Sequence, residues 1–156
     1  MVQLNFNKMK KITDYRKLLE VSETATLAEL KSVYRSLMKT YHPDKFQDEV
    51  EKANAEETST KMIEAYHFLV SIAPETREQN LTAYTETITN SNIQDFEYKS
   101  QVLTVDFYDG NTYEYFDVPK AVYVKLVNAD SRGRFARRHI FNEYVYRSTS
   151  KLVATA

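Results

Sequence analysis

The 156-residue chain has no cysteine, no tryptophan, only 2 glycines and only 3 prolines. Without cysteine, disulfides, thiol catalysis and thiolate zinc sites are excluded, so a metal site would need histidine and carboxylate ligands. The 3 histidines are scattered along the sequence and do not favour such a site, so we expect no metal and no cofactor. Two glycines are also too few for a glycine-rich phosphate-binding loop.

Long apolar runs are missing as well. No stretch approaches the roughly 18 apolar residues of a membrane helix, and the start MVQLNFNKMKK lacks the apolar centre of a signal peptide. Hydrophobic residues make up 42% and charged residues 28%, with a net charge of −1, which is typical of a soluble globular protein. We therefore expect a cytoplasmic protein with no membrane contact.

The positive charge is concentrated near the end of the chain. From Val118 onwards there are 8 Lys and Arg against 2 acidic residues, Asp130 and Glu143. This excess predicts an anion-facing surface in the last third of the sequence.

A change of hydrophobic period divides the chain in two. Up to about Tyr84 the apolar residues recur at helical spacing, and after Ile93 they alternate as in strands. Between these parts, TETITNSN at 85–92 has the composition of a linker. We predict one domain at 1–86, a linker at 87–92 and a second domain at 93–156.

The second predicted helix carries a row of positive charge and ends at a proline. Lys31, Arg35 and Lys39 are four residues apart and therefore lie along one row of the helix. Pro43 has no N–H and disfavours helical backbone at His42, so the helix should end there, with His42 and Asp44 on an exposed loop. A long third helix is predicted over Asp48–Ile72 and a short fourth helix over Glu75–Tyr84.

Four segments in this order resemble the J-domain of the DnaJ co-chaperone family. They are DYRKLLEV at 14–21, LKSVYRSLMKTYHPDK at 30–45, MIEAYHFL at 62–69 and PETREQNLTAY at 74–84. The resemblance implies an all-α domain, built as an antiparallel helical hairpin with short flanking helices. It also implies binding to a DnaK-type (seventy-kilodalton heat-shock) chaperone and stimulation of its ATPase. The residues that the resemblance assigns to this contact are His42, Pro43 and Asp44 in the loop, Lys45 beside them, and Lys31, Arg35 and Lys39 on the helix.

This chain departs from the family pattern at two places. Glu20 stands where the family usually has glycine, and Ser59 stands where the family tends to have a bulky aromatic residue. The Gly/Phe-rich and Cys-rich regions of full-length DnaJ proteins are absent. The alternative interpretation is a J-like fold without the activity, in which His42 to Asp44 only end a helix and the cations are a solvated face.

The second part predicts a small α+β domain with an antiparallel sheet. Two segments in which apolar and polar residues alternate flank Asp109-Gly110 and predict a β-hairpin. A strand at Ile93–Tyr98 can pair alongside this hairpin. A helix is predicted from Pro119 to about Asn128. The segments SNI at 91–93, LTVDFYDGNTYEYFDVPKAVY at 103–123 and SRGRFARRHI at 131–140 resemble the KTSC domain. That domain occurs alone in bacterial proteins and in some lysyl-tRNA synthetases, and RNA binding has been suggested for it.

Two groups of residues in this part are candidates for RNA contact. Tyr113 and Tyr115 project from the same face of a strand and can offer a stacking surface, but they can equally be core residues under the following helix. Four arginines within seven residues cannot all be buried, and they form either a phosphate-binding surface or a solvated basic face. These arginines are Arg132, Arg134, Arg137 and Arg138.

Two functions follow from these patterns. The first is a co-chaperone that stimulates a DnaK-type ATPase while the C-terminal module targets it to a client, a ribosome or RNA. The second is an RNA-binding adaptor in which the J-like helices are only a scaffold. We do not expect an enzyme, because no nucleophile, base and orienting acid recur at a catalytic spacing.

Overall fold

The computed structural model describes residues 11–149, which form six helices and a four-stranded sheet. The described residues divide into two compact units, with the division between Arg77 and Glu78. The helices are α1 (Lys11–Leu19), α2 (Leu27–Tyr41), α3 (Glu49–Ile72), α4 (Pro74–Asn90), α5 (Lys120–Asn128) and α6 (Arg132–His139). The strands are β1 (Ile93–Lys99), β2 (Val102–Phe107), β3 (Thr112–Tyr115) and β4 (Tyr146–Ser148).

The N-terminal unit is all-α, as the sequence predicts, and α3 packs against both α1 and α2. Tyr15 of α1 meets Phe68 of α3 with 5.0 Å between ring centroids, and Tyr34 of α2 stacks on Tyr66 of α3 at 4.3 Å. The core around these contacts is mainly aliphatic and includes Leu19, Leu30, Met62, Ala65, Leu69 and Ile72. The helical hairpin of α2 and α3 is therefore closed by apolar packing along one stripe of each helix.

The turn after α1 has unusual backbone geometry. Glu20 adopts a left-handed conformation with a φ of 55°. The N–H of Glu20 bonds to the carbonyl of Lys17, and the N–H of Val21 bonds to the carbonyl of Arg16, as at a helix end that favours glycine. The left-handed backbone explains why glycine suits this position and implies strain in a chain that has glutamate there.

The C-terminal unit is α+β, also as the sequence predicts. Its antiparallel strands lie in the order β1-β2-β3-β4, and Gly110, with a φ of 94°, supplies the turn between β2 and β3. Inward-facing residues of the strands form one core with residues of α4, α5 and α6. That core is rich in aromatic residues, with Tyr84, Phe107, Tyr113, Tyr115 and Phe141 all buried.

Helix α4 is longer than the sequence predicts. Residues 85–90, whose composition is typical of a linker, continue the helix. Threonine and asparagine have low helix propensity, but Thr87 and Ile88 are buried, and this packing outweighs the intrinsic preference. Tyr84, predicted to close the J-domain, instead lies in the core of the C-terminal unit. The domain limits predicted from the sequence, 1–86 and 93–156, remain predictions.

Candidate functional site

The cations of α2 form an exposed row. Lys31, Arg35 and Lys39 are all exposed, and among residues 11–149 no carboxylate lies within ion-pair distance of them. Neighbours four residues apart on a helix have Cβ atoms about 5–6 Å apart, so the three charges lie close to one another. The row therefore keeps its full positive charge available to a partner.

The loop after α2 is held by hydrogen bonds within itself. His42 ends the helix, and its N–H still bonds to the carbonyl of Met38. Pro43–Lys45 then form a single 3-10 turn, in which the N–H of Lys45 bonds to the carbonyl of His42 at 3.0 Å. The N–H of Phe46 bonds to the carbonyl of Pro43 at 3.1 Å. The predicted site residues His42, Pro43, Asp44 and Lys45 thus share one ordered turn at the end of the cationic row.

The His42 ring acts as the cap of this turn. The backbone N–H of Asp44 donates to Nδ1 of His42 over 3.2 Å, so Nδ1 is an acceptor and the neutral ring carries its proton on Nε2. The Asp44 side chain is 84% exposed and the His42 side chain 48% exposed. The turn consequently offers a partner one N–H donor, one carboxylate and the Lys45 ammonium group.

The other end of α2 is fixed by two side chains. Thr26 Oγ1 accepts from the N–H of Glu29 at 3.1 Å and so caps the helix. Glu75 Oε1 of α4 accepts from the N–H of Leu27 at 2.7 Å. Glu75 was not among the predicted site residues, and only its place directly after Pro74 in the sequence hinted at a helix terminus.

The structure contradicts the stacking surface predicted at Tyr113 and Tyr115. Their exposed fractions are 4% and 0%, and both belong to the C-terminal core, as the alternative interpretation held. The Tyr84 hydroxyl donates to the Phe141 carbonyl at 2.6 Å and lies 2.9 Å from the Tyr115 hydroxyl, so Tyr115 donates to Tyr84. Burial raises the pKa of Tyr115 and of Tyr113. No base can reach these rings in the folded domain.

The four predicted arginines are brought together on α6. Arg132, Arg134, Arg137 and Arg138 are exposed, while Ala136 in the same helix is buried against the core. Ser131 caps the helix by accepting from the N–H of Arg134 at 3.3 Å. The sequence did not predict this helix, because its 8 residues carry too few apolar side chains to show a period.

An open cleft of about 520 Å³ lies where the end of α4 meets the β2–β3 turn. Its lining includes Thr87, Asp109 and Asn111, which hydrogen-bond to one another over 2.7–3.2 Å. These polar groups therefore shape the turn. In the part of the chain that the structure describes, no three His, Asp or Glu side chains are grouped as a metal site.

Comparison with protein families gives two matches in the predicted order. Residues 14–79 match the DnaJ domain, and residues 89–144 match the KTSC domain. The chain thus carries a J-domain followed by a KTSC domain. Over residues 11–149, none of the helices has both the length and the apolarity to cross a membrane.

Individual relatives are similar to this chain over about a third of its length. A chaperone protein DnaJ of Hydrogenobacter thermophilus is 48% identical over 58 residues, which are 37% of this chain and 15% of that protein. A lysine–tRNA ligase of Trichormus variabilis is 39% identical over 60 residues, covering 37% of this chain and 11% of the ligase. A DnaJ homolog subfamily C member 11 of Bos taurus is 42% identical over 64 residues, covering 41% of this chain and 11% of that protein. The chain matches only a small part of each of these curated relatives.

Proposed function

We propose that this protein is a cytoplasmic co-chaperone whose J-domain binds a DnaK-type chaperone and stimulates its ATP hydrolysis. The observation that carries the proposal is the exposed row of Lys31, Arg35 and Lys39, which has no ion-pair partner within residues 11–149 and leads into the ordered turn at His42–Lys45. This arrangement lies inside the stretch that matches the DnaJ domain. The hydrolysis itself belongs to the partner.

The cationic row suits a fast and transient contact with an acidic surface. Unscreened charges of opposite sign steer two proteins together, and salt weakens this steering. The three cations should therefore contribute mainly to the association rate.

The ordered turn suits the recognition step. Its internal hydrogen bonds fix the backbone of Asp44 before binding, so less conformational entropy is lost when the Asp44 carboxylate accepts from a partner arginine. His42 holds the backbone of Asp44 through Nδ1, and its half-exposed ring carries its proton on Nε2. Its replacement should therefore damage both the shape of the turn and its donor.

The test is single-turnover ATP hydrolysis by a DnaK-type chaperone with the full chain and with His42→Gln. We expect stimulation by the unchanged protein, reduced by salt, and its loss in the variant. His67→Gln is the matched control, because His67 is an exposed histidine of α3 away from the turn. Equal stimulation by the His42 and His67 variants would overturn the proposal.

We further propose that the C-terminal module targets the co-chaperone to a client or to RNA. Support for RNA comes from the exposed arginines of α6 and from the similarity to lysine–tRNA ligases, which act on tRNA. The second candidate function is an RNA-binding adaptor in which the helical unit is only a scaffold. That candidate predicts RNA binding that weakens on Arg137→Ala/Arg138→Ala and no stimulation of any DnaK-type ATPase.

A further inference from the structure

The arginine face of α6, defined as Arg134, Arg137 and Arg138, is a dense set of cations, and Arg132 lies at the start of the same helix. Four guanidinium groups lie within seven residues, and no carboxylate in residues 11–149 is within ion-pair distance of them. Helical geometry places Arg134, Arg137 and Arg138 within an arc of about 100° around the helix axis, on the side opposite buried Ala136. Arginine presents a fork of donors that matches phosphate oxygens, so this face fits phosphate chemistry.

The outward face of the sheet in the same unit has the opposite charge. The strand register places Glu97, Thr104, Glu114 and Arg147 in one row across the four strands. The neighbouring row contains Asp95 and Asp106. Glu114 is paired with Arg147, and Asp95, Glu97 and Asp106 face the single cation Lys99, so these residues leave a net negative charge on the face. A polyanion is therefore repelled by the sheet and attracted by α6.

Several aromatic rings beside the arginine face already have ring or cation partners. The Phe96 ring already lies under the Arg132 guanidinium, with 5.4 Å from Cζ of Arg132 to the ring centroid. The nearby ring of Tyr123 stacks on Tyr98 at 4.4 Å. Within residues 78–149 the ring that is mostly exposed is Tyr108, at 67%, and it stands next to Asp109 on the β2–β3 turn. On α6 itself, Phe135 packs against the core and its ring contacts the His139 ring with 4.8 Å between centroids, so these two rings are engaged with each other.

We propose that the arginine face of α6 binds the phosphate backbone of a nucleic-acid double helix without reading its bases. The inference rests on the proposed RNA role and specifies the ligand class of that site. A duplex presents its phosphates in a fixed row and keeps its bases stacked internally, so it needs cations and no aromatic platform. The outer surface of α6 also lacks apolar side chains that would enter a membrane.

The experiment measures binding of the full chain to three labelled probes over a range of salt concentrations. The probes are an RNA duplex, a DNA duplex of the same sequence and one of the RNA strands alone, and each is prepared in two unrelated base sequences. We expect binding to a duplex that is independent of base sequence, with a slope of log K against log salt of about −2 to −3 if three phosphates are contacted. Comparison of the RNA duplex with the DNA duplex shows whether the site accepts ribose, deoxyribose or both.

The variant Arg137→Ala/Arg138→Ala should weaken duplex binding about tenfold and make the salt slope shallower by about 2. Lys52→Ala/Lys61→Ala removes the same charge from α3 and should leave binding unchanged. An equal loss in both double variants would show bulk electrostatics and overturn the inference.

Three further results would also overturn it. Binding to the single strand alone, weakened by Tyr108→Ala, would keep the RNA role but replace the duplex by a stacking mode. Binding to phosphatidylserine vesicles and to no nucleic acid would assign the face to a membrane. Absence of binding to all three probes at low salt would remove the RNA role as well. ATPase stimulation is measured in a separate assay, and none of these binding results decides its outcome.

Discussion

Both units of this protein carry cations on an exposed helix, but the surroundings of the two sets differ. In the N-terminal unit the row on α2 leads into an ordered turn that adds a carboxylate and an imidazole donor. In the C-terminal unit α6 also leads into a hydrogen-bonded turn, but Ile140 and Phe141 of that turn are buried, and the outward face of the sheet has more carboxylates than cations. The first arrangement suits one shaped protein surface, and the second suits a repetitive polyanion. Positive charge alone therefore does not identify the partner.

The cores of the two units differ as well. The N-terminal core is mainly aliphatic, whereas the C-terminal core contains hydroxyl groups that hydrogen-bond to one another and to backbone. A buried hydroxyl network tolerates the loss of a member poorly, because the remaining groups are left without partners. Helix α4 contributes a residue to each unit. Glu75 accepts from the N–H at the start of α2, and Tyr84 lies in the aromatic core of the C-terminal unit.

The largest loss of stability is expected when Tyr84 is replaced. Its ring stacks on Tyr146 at 3.7 Å, so Tyr84→Ala leaves a cavity and two unpartnered polar groups. We expect the C-terminal unit to lose about 3–5 kcal/mol of unfolding free energy. Tyr84→Phe keeps the packing and should cost about 1–3 kcal/mol. Amide hydrogen exchange of residues 93–141 measures both, and Tyr108→Ala, at an exposed ring, is the control.

A smaller loss is expected from Glu75. Glu75→Ala removes the acceptor for the N–H of Leu27, so the N-terminal unit should become less stable by about 1 kcal/mol. Glu75→Gln keeps an acceptor oxygen and should cost less. Hydrogen exchange of the α2 amides reports the difference, and equal stability of all three proteins would mean that the Glu75 contact does not hold α2.

The smallest effect, and the only gain among these changes, is expected from Glu20. Because Glu20 holds a φ of 55°, Glu20→Gly should relieve strain and stabilise the N-terminal unit by up to about 1 kcal/mol. Glu20→Ala removes the same charge without relieving the backbone and should bring no gain. Thermal unfolding of the three proteins checks this, and a gain in the alanine variant would point to charge instead.

The sequence predicts the N-terminal helices well because each long helix has a regular apolar stripe and a recognisable end, such as Pro43 or the cap at Asp48. The length of α4 could not be read from the sequence, since Thr87 and Ile88 become helical through tertiary burial. Alternation placed Tyr113 and Tyr115 on one face but could not say that the face is inward. The arginines were correctly expected to be exposed, whereas the helix that holds them was not foreseen.

The most direct test of the account combines both assays on both sites. His42→Gln and Arg137→Ala/Arg138→Ala are each measured for stimulation of a DnaK-type ATPase and for binding to an RNA duplex. We predict that His42→Gln abolishes stimulation and leaves duplex binding unchanged, while the arginine variant weakens binding about tenfold and leaves stimulation unchanged. If either variant impaired both activities to the same extent, the two basic surfaces would not serve separate partners, and the account would be wrong.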